Sequence, residues 1–255
     1  MANLGASAGW GLVVCASLVA GALAAVLVAL PARVAASATA FGGGILFAAI
    51  ALELTPEADA GAGTALTAAG LAAGTLVYVG ADALLGRDPG KRKMRRMGHA
   101  ASAGKPMEMP RDHGEAARGE SIAAGMFVDG VPESIALGLT IAQGELGVAL
   151  LAGVLLGNVV EAYGAAQPIL AGGHSRRFAL GLLGAIGLSL AVATIAGGTV
   201  FASASPELVG TLQAVAAGAV LAVISIAIVP HAFSAVSRGV AVATAAGFVA
   251  GYLLS

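Results

Sequence analysis

The chain has 255 residues, 58% of them hydrophobic and only 11% charged, with a net charge of −1. A soluble domain of this length needs far more charge to cover its surface, so an ordinary soluble protein is excluded. The near-neutral balance also excludes a nucleic-acid binder.

A bilayer-spanning helix needs about 20 mostly apolar residues. Eight windows qualify, at roughly 8–30, 34–56, 64–86, 120–142, 146–170, 178–201, 208–231 and 237–254. The first lacks a basic flank and Pro31-Ala32-Arg33 is a poor cleavage site, so it reads as a span and not as a signal peptide. Cys15 has no partner for an internal disulfide and reads as a small apolar side chain. Span 2 carries Glu53, Pro56 and Glu57 toward its far end, where the acids line an entrance or meet interfacial water. Span 3 ends near Asp82, which reads as an anchor for that helix end.

Residues 87–119 form the one extended polar segment and read as a flexible cytoplasmic loop within a single transmembrane domain of residues 1–255. Its His99, Asp112, His113 and Glu115 could capture a metal, but a solvated basic linker near anionic lipid explains them more simply. Span 4 carries Asp129, Pro132 and Glu133. Span 5 carries Asn158, Glu161, Gln167 and Pro168. Span 7 closes on Pro230 and His231, the histidine reading as interfacial.

Every lysine and arginine falls in an alternate connection. Arg33 follows span 1, nine lie between spans 3 and 4, Arg176 and Arg177 follow span 5, and Arg238 follows span 7. By the positive-inside rule those connections face the cytoplasm and both termini face outward, as expected of a multi-pass cell-membrane protein.

The chain also contains a repeat. At an offset of 174, Gly44 aligns with Gly218, Ala48 with Ala222, Ile50 with Ile224, Pro56 with Pro230 and Ala58 with Ala232. Spans 2 and 7 run in opposite directions, so the repeat is inverted, which is a signature of secondary transporters. A weaker echo relates residues 129–133 to 157–161. The expected fold is an all-α membrane protein of eight spans, with spans 1–3 repeating as 6–8 around a central pair, spans 4 and 5.

Asp129 and Glu133 are four apart, and Asn158 and Glu161 three apart, so each pair shares a helix face. No basic residue lies at that depth, so the acids hold protons or a cation. Pro132 cannot donate to the carbonyl of Val128, which frees that oxygen beside the acids. Pro56, Pro168 and Pro230 read as simple kinks. Oxygen ligands suit Mg, Ca and Mn, and zinc accepts carboxylates, so by chemistry the cation is divalent with its identity open.

Eight spans, outward termini, a long loop after span 3 and the run Asp129-Gly130-Val131-Pro132-Glu133-Ser134 together resemble the ZIP (Zrt/Irt-like) family of divalent metal transporters. The family's span 4 reads His-Asn-x-Pro-Glu-Gly, and its span 5 has a related element matched by Gly157 to Glu161. Residues 42–58, ending Leu54-Thr55-Pro56-Glu57-Ala58, resemble its second span, and the end of span 3 with Asp82 is similar to its third. The resemblance implies a zinc-class cation carried toward the cytoplasm. Glu133 and Glu161 would be the principal ligands, with Asp129 and Asn158 completing the shell. It also implies dimerisation, and an elevator-like shift of spans 1, 4, 5 and 6 against spans 2, 3, 7 and 8.

The chain departs from the family at several ligand positions. Asp129 and Gly130 replace the span 4 histidine and asparagine, Gly157 stands at the span 5 position, and Leu190 stands at the span 6 acid. Ile226 and Ala227 replace the span 7 pair. The alternative is therefore a non-transporting or altered-cargo relative, such as a sensor or a proton-coupled carrier. An enzyme is not expected, because no Gly-x-Ser-Gly element occurs and the spacing in Tyr78-Val79-Gly80-Ala81-Asp82 does not fit an aspartyl protease. No resident cofactor is expected beyond the transported metal.

Overall fold

A computed structural model of the chain describes residues 2–28, 30–85, 115–144, 147–171, 174–201 and 204–255. Among the described residues there are helices and no strands. This is what small apolar sequence must do in lipid, where every backbone N–H and C=O needs an internal partner.

In chain order these are α1 (Ala2–Leu27), α2 (Ala32–Ala49), a π-helical turn (Ile50–Leu54) and α3 (Thr55–Ala62). Next come α4 (Thr64–Leu85), α5 (Glu115–Gln143), α6 (Val148–Ala171) and α7 (Arg176–Val200). The last are α8 (Pro206–Val223), a second π-helical turn (Ile224–Ile228), α9 (Val229–Val236) and α10 (Gly239–Leu254). Six stretches are long and apolar enough to cross a membrane: Leu4–Leu27, Arg33–Ala62, Thr64–Ala81, Val148–Gln167, Arg176–Val200 and Pro206–Ile226. Helix α10 is apolar but shorter. Helix α5 is long and carries Arg118 and four acids in its 29 residues. The chain is thus an all-helical, multi-pass membrane-type protein. Helix α5 starts at Glu115, inside the segment expected as loop, and residues 86–114 lie outside the described ones.

Local chemistry sets the helix ends. The Ser175 and Ser205 hydroxyls accept the N–H groups of Phe178 and Leu208, capping α7 and α8. Gly63 and Gly144 turn the chain at φ +78° and +84°, a backbone region costly for other residues. Gly63 lets α4 fold back from α3, and Gly144 stops α5.

Two of the three prolines expected to make plain kinks, Pro56 and Pro230, sit instead just after π-helical turns. Proline has no N–H to return to the preceding turn. One extra residue in the turn lets the Thr55 N–H reach back to Ile50 O, and the Val229 N–H to Ile224 O. Every boundary in the second of these segments lies 174 residues after its counterpart, from Ala32 to Pro206, Ile50 to Ile224 and Thr55 to Val229.

Helix α1 packs on α6 and α7, and α5 packs mainly on α7 and also on α6 and α8. Helix α2 packs on α10, α6 and α9, and α8 packs on α4, α3 and α5. Leu18, Leu46, Leu54, Leu137, Leu150, Leu183, Leu190 and Ile224 fill the core. Helices α4 and α10 turn Leu76, Val77, Val242 and Leu253 outward, which suits a lipid-facing rim.

Glycine sets the tightest of these contacts. A Cβ on Gly44 would run into the Thr244 carbonyl of α10, and one on Gly247 into the Phe41 carbonyl of α2. The same happens between α4 and α8, with Gly74 on Val215 O and Gly218 on Leu71 O. On the other side, Gly21 lies on the Val159 carbonyl of α6, and Gly138 on the Thr194 carbonyl of α7. Such backbone-to-backbone approaches are how helices gain packing energy where no hydrophobic effect drives them together.

Candidate functional site

Helices α5 and α6 contact each other and carry the candidate residues. Pro132 lies inside α5 without ending it. Glu133 is 7% exposed and Asn158 is 4% exposed, so an acid and an amide are both taken out of solvent. Glu161 is half-buried. Glu133 and Glu161 each interact with another group. The Asn158 Nδ2 and the Ser134 Oγ are buried without a hydrogen-bond partner. An unsatisfied buried donor of this kind costs about 1–3 kcal/mol, which is a reason to look for a ligand.

Every arginine whose side chain is described, namely Arg33, Arg176, Arg177 and Arg238, is exposed at a helix end or connection. No cationic side chain among the described residues enters the interior. The Asp129 side chain lies outside the described ones, as do those of Asp82, Pro168 and His231 and all of His99, Asp112 and His113. Among the described residues, no three His, Cys, Asp or Glu side chains come together as a metal-holding group.

The replaced positions have distinct surroundings. A Cβ on Gly157 would meet nothing within 4 Å, so space adjoins Asn158. Helix α2 passes that space loosely, the nearest atom to a Cβ on Gly42 being Gly157 N at 3.6 Å. Leu190, 1% exposed, fills its own position with apolar bulk, and its Cδ1 lies 2.7 Å from where a Gly130 Cβ would be.

Three polar arrangements surround this region. Glu53 Oε1 accepts the Ala149 N–H at 3.1 Å and Oε2 accepts the Leu150 N–H at 3.2 Å, so a side chain from the π turn caps α6. The Gln143 and Gln213 amides exchange hydrogen bonds of 2.9 and 2.7 Å, and Gln213 Nε2 also donates to Glu57 Oε2 at 2.7 Å. Gln167 Nε2 donates to Ala25 O at 3.2 Å, beside Tyr163 at the end of α1. Glu57, read above as an entrance or interfacial acid, is therefore tied to the Gln213 amide. Gln213 and Gln143 were missed in the sequence because amides carry no charge, although a glutamine in an alanine-rich span was a visible signal. The capping role of Glu53 had no sequence signal, since its partners are 96 and 97 residues away.

Neither a protein-family model nor a curated protein matches the chain.

Proposed function

We propose that the chain is a divalent-cation transporter of ZIP-like architecture, with eight spans and an inverted repeat, moving a zinc-class metal toward the cytoplasm. The observation that carries this reading is the burial of an acid, Glu133, and of an amide, Asn158, on two helices that pack together. Glu161 lies one turn beyond Asn158 on the same helix. Glu133 and Glu161 are the principal ligands in this reading, with Asp129 and Asn158 completing the shell. Carboxylates and an amide carbonyl form an oxygen donor set that accepts a divalent cation.

The repeat supports alternating access. Two segments 174 residues apart share their helix and π-turn boundaries, and Gly44 and Gly218 make matching carbonyl contacts. The glycine contacts further favour two moving bodies. Those in which a Cβ would come within 3.0 Å of a backbone atom join α1, α5, α6 and α7 to one another. They likewise join α2 to α10, and α8 to α3 and α4, and the unbroken chain from α2 through the first π turn into α3 links these two groups. Between the two sets, Gly153 meets Leu46 chiefly through its side chain, and Gly42 passes Gly157 at van der Waals distance. Interdigitated backbones resist sliding, and side-chain contacts permit it.

An altered-cargo relative is the second reading. The apolar seal that Leu190 makes over Gly130 favours it, because a second metal has no acid at that position.

Reconstituted vesicles loaded with a metal-sensitive dye separate the two. The expected result is saturable entry of at least one of Zn, Cd, Mn, Fe or Mg, reduced about tenfold or more in Glu133→Ala and Glu161→Ala. Entry equal to protein-free vesicles for all five ions, or entry indifferent to both substitutions, removes the carrier reading.

A further inference from the structure

We infer that Glu53 and the Gln143–Gln213–Glu57 cluster form a two-point latch that holds shut the end of the molecule opposite the basic connections. The inference rests on the two-body reading above. It adds a device to that reading, namely the polar contacts that must break before the site can open at this end.

Location is the first reason. Glu53 belongs to the segment joining α2 to α3, and its carboxylate holds the first turn of α6, the helix that carries Asn158 and Glu161. Gln143 is the last residue of α5, the helix that carries Glu133, and its partner Gln213 stands on α8, where Gln213 Nε2 also donates to Glu57 of α3. Both attachments therefore cross from the set containing α1, α5, α6 and α7 to the other set. Both lie where α5 ends and α6 begins, so one displacement of that helix pair breaks them together.

Chemistry is the second reason. The contacts of the latch are hydrogen bonds, several of them to carboxylates, and such bonds are directional and are lost over about 1 Å of movement. Once broken they can be remade with water entering from outside, so the open state is not left with unsatisfied groups. Glycine-to-backbone packing offers no such exchange. At Gly147 a Cβ would stand 2.7 Å from Glu53 Oε2, so the carboxylate sits against bare backbone with no side chain in its way. Gln213 is fully buried, so its two bonded hydrogens are sealed in only while the end is closed.

By contrast, the polar contacts of Tyr163 and Gln167 join α6 to the end of α1 inside one set. They can survive the displacement intact. The molecule thus has bonds that travel with the moving body and bonds that tether it.

The test uses the full chain in vesicles, with Cys15→Ala removing the native thiol and Gly157→Cys as reporter, because a Cβ there meets no neighbour. A membrane-impermeant maleimide is added from the side of the α5–α6 turn, without metal. Labelling should be slow with the latch intact, and roughly tenfold faster with Glu53→Gln or Gln213→Leu, corresponding to loss of a charge-assisted bond in the closed state. Glu53→Gln keeps side-chain volume, and a melting temperature within a few degrees of the parent shows that each variant is folded. Fast labelling in the parent reporter, or equal rates in parent and both folded variants, overturns the latch. No cargo is present in the assay, so the latch can fail while metal entry is intact, and the reverse.

Discussion

The phenol oxygen of Tyr163 accepts the backbone N–H of Leu30 at 2.6 Å and donates to the carbonyl of Val28 at 3.1 Å. Helix α1 stops at Leu27, so its last carbonyls and the next N–H groups lack helical partners. One buried side chain on α6 closes that end, and Gln167, one turn further on, takes the carbonyl of Ala25. Tyr163→Phe keeps the ring and removes these two bonds, together with the one the hydroxyl accepts from Gln167 Nε2 at 3.3 Å. It should lower unfolding stability by about 1–3 kcal/mol, because two backbone groups are left unsatisfied. Thermal unfolding in detergent reads the loss, and labelling of a Gly157→Cys reporter should not change.

Glycines in this chain divide by what surrounds them. A Cβ at Gly218 collides with the Leu71 backbone, whereas one at Gly9 meets nothing within 4 Å. Gly218→Ala should therefore force α8 away from α4 and destabilise by more than about 1 kcal/mol. Gly9→Ala should be neutral or stabilising by up to about 1 kcal/mol through helix propensity. Paired melting curves decide it. Equal effects at the two sites would mean that the α4–α8 contact is not set by backbone approach.

Much of this was readable before any coordinates. Apolar length located the helices, and the aligned pairs Gly44–Gly218 and Pro56–Pro230 marked two segments whose boundaries coincide at an offset of 174. The π turns were not readable, because a proline in an apolar span is equally consistent with a kink, and only Thr55 N–H and Val229 N–H reaching back to Ile50 and Ile224 distinguish the two. Burial of Glu133 and Asn158 followed from their place in apolar spans. The role of Glu53 did not, since an acid near a span end looks the same whether water or a distant helix N-terminus satisfies it. Nor does spacing along each helix say whether α5 and α6 turn their polar faces to one another.

Asn158 is 4% exposed with its Nδ2 unpartnered, which is a cost with no return unless a ligand or its water uses the amide. Replacing it with leucine of similar volume removes that cost. Asn158→Leu should raise the melting temperature in metal-free buffer, by the equivalent of about 1 kcal/mol. If a divalent cation binds here as proposed, it should stabilise the parent by an amount that grows with the logarithm of metal concentration, and Asn158→Leu should abolish that gain. Such a trade of stability against binding marks a functional residue. A lower melting temperature in metal-free buffer would instead mean that the amide has a structural partner.

Leu46 and Gly153 test the interface between the two sets of helices. The position of a Cβ on Gly153 lies 2.9 Å from Leu46 Cγ, which brings the two Cβ positions within about 4.5 Å, the separation a disulfide spans. With Cys15 replaced by alanine, Leu46→Cys and Gly153→Cys should cross-link under mild oxidant and join α2 to α6. If α6 slides past α2 during transport, the cross-linked protein should carry cation at the background rate, and a reducing agent should restore entry. Each single-cysteine protein should respond to neither oxidant nor reductant, which separates locking from simple damage to a buried contact. Full entry through quantitatively cross-linked protein would show that α2 and α6 move as one body. The boundary between the two sets would then have to be drawn elsewhere.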